Sequence, residues 1–482
     1  VRTAWRVAQV RAAEESVMKT LPGGALMQRA AAGLARRIAD TLPRVYGSRV
    51  LLLVGPGNNG ADALYAGARL AARGARVDAL VFSPDRVHRA AAEALYRAGG
   101  RLDDDAPGPS AGRADVVVDG ILGIGGQGGL REPIAARVAD LADVLHRAPV
   151  IAVDVPSGVD ADTGAVTGMA VHADITVTFG ALKPGLLVGA GAVHAGILEL
   201  IDIGLEDHLD GDPALYVPDA ADIAGWWPRP RATDNKYSRG VVGVATGSDK
   251  YPGAAVLSTA GALAGPAGLV RYAGSAAHVV RYHHPPVIAT EKVSDAGRVQ
   301  AWVCGSGLGT DERGYGELRA VLGAPVPAIL DADALTLLAD ARLADWMRER
   351  DAPTVVTPHD GEFQRMFGGA PGDDRIGAAK ALAERIDATV LLKGDRTIVA
   401  TPDGRVFVNP TGTAALATGG SGDVLAGLLG ALLAGGLQAE HAAVAAAYVH
   451  GLAGRRAADS GPVTATDVAA HLREAVRTLT RR

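Results

Sequence analysis

Residues 50–62 read VLLLVGPGNNGAD, and residues 409–436 read NPTGTAALATGGSGDVLAGLLGALLAGG. In the first stretch an aliphatic run enters Gly55-Pro56-Gly57-Asn58-Asn59-Gly60, and a helix is predicted from near Ala61. The spacing is G-x-G-x-x-G between a strand and a helix, where backbone amides and a helix N-terminus can approach an anion. By itself it suits a dehydrogenase-type dinucleotide site and a structural turn about equally. The usual acidic partner at the end of the next strand is poor, since Asp78 comes too early and Asp85 too late. The paired amides of Asn58 and Asn59 are less ordinary, and can bind polar ligand groups or give carbonyl oxygens to a hard cation. In the second stretch, Thr418-Gly419-Gly420-Ser421-Gly422-Asp423 opens an apolar helix near Val424. Its glycines and serine form a nest of amide donors for a phosphoryl oxygen, and Asp423 directly after them can take a proton from a hydroxyl. No Gly-Lys-Ser/Thr follows, so this is not a Walker loop.

Outward from these loops, short aliphatic runs alternate with helical stretches, the pattern of an α/β chain built on parallel sheets. The alternation pauses at 221–238, where Trp226-Trp227, two prolines and mixed charge mark a connector, and it restarts at Val241. With 482 residues, the chain is read as two domains, 1–220 and 221–482. The segment from Val1 to Ser16 is charged and lacks the apolar run of a secretory signal. The charge-free run from Gly253 to Val270 carries Pro266 and the glycines Gly261, Gly265 and Gly268, so a buried helix and turn is expected there rather than a membrane span. A net charge of −5 without a basic tract argues against nucleic acid or a membrane surface as partner. The single cysteine, Cys304, excludes a disulfide framework and a cysteine-based zinc cluster. Lysine occurs only at positions 19, 183, 236, 250, 292, 380 and 393, so in this arginine-rich chain a lysine inside a motif stands out. A cytoplasmic protein is expected.

Two more strand ends would meet the first glycine loop at the carboxyl edge of a parallel sheet. One is VVVDGILGIGGQGG (116–129), with Asp119 closing the strand; the other is VIAVDVPSGVD (150–160), with Asp154, Ser157 and Gly158. Any one such Asp more often caps a loop or helix than serves chemistry. Together with Asn58-Asn59 they favour a site.

These segments, with TFGALKPGL (178–186), resemble the N-terminal half of the bifunctional NAD(P)H-hydrate repair enzymes, in which a Rossmann-like epimerase domain precedes a ribokinase-like dehydratase domain. The C-terminal segments resemble the same family: Tyr251-Pro252-Gly253-Ala254-Ala255, Gly305-Ser306-Gly307-Leu308-Gly309 (Ser replacing the family's Pro), Asp331-Ala332-Asp333, Thr357-Pro358-His359-Asp360-Gly361-Glu362, Lys393-Gly394-Asp395-Arg396-Thr397, and the loop of Asp423. The resemblance implies that Asn58, Asn59, Gly60, Ala61 and Asp62 bind the hydrated coenzyme at the first site, along with Gly123, Ile124, Gly125, Gly126, Gln127, Gly128 and Gly129. Asn59, Asp119 and Ser157 would hold a potassium ion, and Asp154 would be the general acid/base at the nicotinamide ring. At the second site Ala255, Gly307, His359 and Asp423 would contact the hydrated coenzyme, with Asp423 catalytic. Lys393, Gly394, Asp395, Arg396, Thr397 and Gly422 would bind ADP or ATP with magnesium.

Two departures stand out: Ala61 and Ala63 replace family glycines, and Gln28 follows Leu26-Met27 where the family has Glu. Read without the resemblance, His359 is more often a turn histidine, Lys393 a strand-end lysine, and Cys304 and His450 packing. The implied activities are epimerisation of hydrated NADH or NADPH and ADP-dependent dehydration, in a homo-oligomer. A small-molecule kinase fused to a silent N-terminal module is the alternative, and a dehydrogenase is a third reading.

Overall fold

A computed structural model describes residues 1–104, 111–126 and 128–480. The chain divides between Leu215 and Tyr216 into two compact units, and Val1–Arg2 group with the second. Among the described residues no helix is long and apolar enough to cross a membrane.

In the N-terminal unit the seven strands lie in the order Arg101–Asp103, Arg76–Val81, Arg49–Val54, Val116–Gly120, Val150–Val153, Ile175–Phe179 and Ile197–Ile201, all paired in parallel. Period-two alternation explains why both faces are apolar. Val50, Leu52 and Val54 join one core cluster with Leu34, Ile38 and Leu64, while Leu51 and Leu53 join another with Val138 and Val144. Chain direction across the sheet reverses between Arg49–Val54 and Val116–Gly120. The loops after these two strands therefore flank a crevice at the carboxyl edge. The segment 133–146 forms two short helices, Ile134–Ala139 and Ala142–Arg147.

The sheet of the C-terminal unit runs Leu215–Val217, Val406–Val408, Ile398–Ala400, Thr389–Leu392, Thr354–Val356, Ala328–Leu330, Ala301–Cys304, Val241–Ala245, Leu269–Ala273 and Ile288–Thr290. It is parallel from Thr389–Leu392 onward. The hairpin of Ile398–Ala400 and Val406–Val408 is antiparallel. Its own reversal falls between Val241–Ala245 and Ala301–Cys304. The expected connector contains a capped helix, Ala220–Trp226, with Asp219 accepting from the Ala221 and Asp222 amides.

Helices Pro252–Ala264 and Ser421–Ala434 cross so closely that small residues are obligatory. A Cβ on Gly427 would lie 1.9 Å from Ser258 O, and one on Gly261 would lie 2.1 Å from Val424 O. This crossing holds the start of Ser421–Ala434 over the sheet edge. Gly427→Ala is expected to destabilise the C-terminal unit by about 1–3 kcal/mol through overpacking. Hydrogen exchange of the Val241–Ala245 amides should accelerate, while that of Arg49–Val54 should not.

Candidate active sites

The first glycine loop is shaped by backbone crowding. A Cβ on Gly55 would lie 1.8 Å from Ile121 O, and one on Gly60 would lie 2.2 Å from Gly55 O, whereas Gly57 faces open space. The helix begins at Asn58 rather than near Ala61, so Asn58–Asp62 are its first residues and their amides lie at its positive end. Ala61 and Ala63 are fully buried in the core of the unit. Their methyl groups face the core. Asn58 is exposed, and Asn59 is buried. Gln28, the other departure, accepts a hydrogen bond from Arg69 at the surface.

Asn59, Asp119 and Ser157 come together at the reversal point. Asp119, fully buried, accepts from the Ser157 hydroxyl at 2.6 Å, the Ser157 amide at 2.8 Å and the Ile121 amide at 3.3 Å. Burial pushes its carboxyl up to about 6, against the lowering effect of those donors. The Asn59 side-chain amide donates to Val153 O at 2.5 Å and Leu122 O at 3.2 Å. Leu122 N donates in turn to Ser157 Oγ at 2.9 Å. The segment 123–129 lies beside them: a Cβ on Gly123 would meet the Asn59 side chain at 2.3 Å. Gly129 N donates to Thr167 Oγ1 at 3.2 Å, and Gly128 has φ +73°. Gln127 lies outside the described residues.

Asp154 follows the strand Val150–Val153 with φ +66°, a conformation costly for a residue with a Cβ. A buried network holds it there. Asp154 Oδ1 accepts from Lys183 Nζ at 2.5 Å, Thr178 Oγ1 at 2.9 Å and Phe179 N at 3.2 Å. Lys183, 1% exposed, also donates to Thr178 Oγ1 and Phe179 O, each at 3.0 Å. Asp62 is buried nearby, one of its oxygens lacks a partner among the described residues, and burial pushes its carboxyl well up. Lys183 was not singled out as a site residue from sequence. The available signal was a lysine in an arginine-rich chain, inside TFGALKPGL.

At the second site four strand ends, carrying Ser306, Asp331, Thr357 and Lys393, meet at the start of Ser421–Ala434. Asp331, buried after Ala328–Leu330, accepts from Thr357 Oγ1 and Lys393 Nζ at 2.8 Å each and from Ser306 Oγ at 3.0 Å. Lys393 also pairs with Glu362 at 3.4 Å; burial opposes its charge, but the two carboxylates outweigh that and hold its pKa up. The Lys393 ammonium lies 3.6 Å from where a Cβ on Gly422 would sit, so the lysine and the glycine loop face one space. Gly420 (φ +87°) turns the chain into the helix. Asp423 in the first turn is pushed up to about 7, mainly by burial and then by Asp331, with Asp333 adding to the rise; Ser306 and Lys393 work the other way.

The remaining expected residues are placed as follows. Lys393–Thr397 form the turn between Thr389–Leu392 and Ile398–Ala400. Asp395 is exposed, Arg396 donates to Pro410 O at 2.8 Å, and Thr397 donates to Gly394 O at 3.1 Å. Gly394 lies near the Arg375 guanidinium. Gly307 packs against Ala254 and Tyr251, while Ala255 is fully buried under Gly247 and offers no side-chain surface. The Nδ1 of His359 accepts from the Gly361 and Glu362 amides, capping Asp360–Phe367 and leaving the ring half-exposed beside Glu362. Cys304 and His450 are buried; burial drives the thiol pKa up and that of the imidazole down to about 4.

The chain matches two family models, the YjeF-related protein N-terminus over residues 23–185 and NAD(P)H-hydrate dehydratase over 242–476. It is 48% identical over 492 residues to the bifunctional NAD(P)H-hydrate repair enzyme of Mycobacterium leprae, covering 99% of this chain and all of that one. It is 49% identical over 407 residues to the enzyme of the same name from Mycobacterium tuberculosis, covering 82% of each. A ribokinase-like superfamily protein of Enterococcus faecalis shares the C-terminal fold, with TM-score 0.52, 22% identity, and coverage of 57% of this chain and 99% of that one.

Removing the ammonium would strand a buried carboxylate. Lys183→Met is expected to cost the N-terminal unit about 3–5 kcal/mol. Faster hydrogen exchange in the Arg49–Val54 strand, with Val241–Ala245 unchanged, is the measurement.

Proposed function

The chain belongs to the bifunctional NAD(P)H-hydrate repair enzymes, and from that premise we propose how its residues carry the two reactions. The enzyme restores NAD(P)H that has taken up water at C6 of the nicotinamide ring. Its N-terminal unit interconverts the R and S hydrates, and its C-terminal unit uses a nucleotide to dehydrate the S form. We take the cytoplasm as its place of action.

The observation that carries the dehydratase chemistry is Asp423, with a carboxyl pushed up to about 7 in the first turn of a glycine-led helix beside Lys393. Hydroxide leaves poorly and phosphate leaves well, so a kinase-like site suits a dehydration. In the proposed sequence Asp423 takes the C6 hydroxyl proton as that oxygen attacks the terminal phosphoryl of ADP. The amides of Gly419–Gly422 and the Lys393 ammonium bear the charge that develops on the phosphoryl oxygens. The ring nitrogen's lone pair expels phosphate, and loss of a C5 proton leaves NAD(P)H, AMP and phosphate. For a magnesium ion arriving with the nucleotide, Asp331 and Asp333 are the carboxylates that stand near Asp423. Those two carboxylates would hold it, and it would offset the charge of the nucleotide. In the N-terminal unit, Asp154 acts as the base beside the ring, oriented by Lys183 and Thr178.

The test offers an R/S mixture of hydrated NADH with ADP and follows NADH absorbance. Full recovery is expected, where half would mean that only the C-terminal unit works. A phosphorylated product accumulating without NADH would make that unit a kinase. Because the base must be ionised, kcat/KM for the S hydrate should rise through about pH 7 and level off above it. Asp423→Asn should abolish that limb and slow dehydration by about 10²–10⁴-fold while nucleotide binding persists.

Potassium at Asn59, Asp119 and Ser157 is part of the same proposal. Asp119 and Ser157 bring a buried carboxylate and a hydroxyl oxygen together, and Asn59, whose Nδ2 donates to the carbonyls of Leu122 and Val153, would offer its own Oδ1 to a hard cation. Potassium chloride should raise the melting temperature more than choline chloride at equal ionic strength. Asp119→Asn should remove the difference.

A further inference from the structure

Helix Val7–Met18 brings to the N-terminal site a carboxylate that neither glycine loop supplies. Its seat is defined on several sides. Trp5 N donates to Leu182 O, the neighbour of Lys183, and Val7 N donates to Asp162 Oδ1, each at 2.8 Å. Val7 and Ile124 both pack on the cluster of Val155, Val159, Ala161 and Leu186 that follows Asp154. Val10, Ala13 and Val17 face the core, leaving Arg11 and Glu14 one turn apart on another side of the helix. The Arg11 guanidinium lies 3.2 Å from where a Cβ on Gly125 would sit, so this side borders the loop 123–129.

Glu14 is half-buried and feels the charges of Lys183, Asp154 and Arg11, while Asp62 feels those of Asp154 and Glu14. Glu14 and Asp154 therefore both face one buried ammonium, Asp62 lies beside these two carboxylates, and a guanidinium stands at the rim. Asp154 Oδ1 takes three hydrogen bonds, one of them from the Lys183 ammonium. Burial pushes the carboxyls of Glu14 and Asp62 up, toward the protonated form. A carboxyl kept toward its protonated form at the edge of such a site can give a proton to a leaving oxygen.

We propose that Glu14 is a catalytic residue of the epimerisation, the acid that protonates the oxygen leaving C6 while Asp154 acts as base. This rests on the epimerase reading of the site. The C6–O bond breaks with its pair on oxygen, the Glu14 proton completes water, and the N1 lone pair forms the C6=N1 bond. Water then adds to the opposite face: C6–O forms, the π pair returns to N1, and Asp154 takes the released proton. Exchange of one proton between the carboxyls, through the Lys183 that faces both, restores the starting state.

The full-length enzyme, given one pure hydrate of NADH without ADP, is followed by the R/S ratio over time and pH. The wild-type rate should fall on the alkaline side as the acid loses its proton. Glu14→Gln should slow exchange about 100-fold with KM little changed and without that alkaline fall; Glu14→Asp should restore part of both. Unchanged hydrogen exchange of Arg49–Val54 would show that the variants are folded. Exchange in Glu14→Gln within threefold of wild type, a change in KM alone, or loss of the alkaline fall in Asp62→Asn instead, would each overturn the assignment. Asp154→Ala separates the two levels: if it too exchanges at the wild-type rate, the epimerase reading of the site has failed, not merely the role of Glu14.

Discussion

A buried ammonium must be neutralised where it stands, and each unit is organised around one. Lys183 is 1% exposed and meets Asp154, while Lys393 meets Asp331 and Glu362. Desolvating either lysine alone would cost several kcal/mol, so the carboxylates and hydroxyls that surround it are held in place by that requirement. The same demand stabilises the left-handed backbone of Asp154, which three donors to one oxygen keep in position. Two of the chain's seven lysines thus lie at the carboxyl edges of two different sheets.

With the lysines committed, the other acidic groups are left under-compensated. Asp423, Asp119, Asp62 and Glu14 are all pushed up, chiefly by burial. Their destinations differ because their neighbours differ. Asp423 sits before a glycine nest that can carry phosphoryl charge. Asp119 lies within reach of carbonyl and hydroxyl oxygens that a cation can bridge. Asp62 and Glu14 share their space with Asp154. The same residue type is thus given different surroundings in each place, and those surroundings set what it can do.

Much of this was legible because glycine and carboxylate motifs are local. Both glycine loops, the strand ends at Asp119, Asp154 and Asp331, and the order of the two units follow from short stretches with a clear period. Legibility stopped where the reason for a residue lay across space. Gly55 and Gly60 look like ligand-binding glycines, yet both are required by backbone contacts to Ile121 and Gly55. Ala61 and Ala63 look like obstructions and are core residues. Ala255 is buried under Gly247 for packing reasons that its motif does not show, and His359 spends one ring nitrogen on a helix cap. Glu14 carries no motif at all.

The sequence by itself determined the two α/β units, their glycine loops and the carboxylates that follow the strands, because strand period, loop spacing and helix starts are set by neighbours along the chain. Only the tertiary structure decided that Lys183 pairs with Asp154, that Lys393 spans Asp331 and Glu362, and that a helix near residue 14 borders a loop near residue 125. Charge compensation in a buried site acts through distance and desolvation, and neither is written in the spacing of residues.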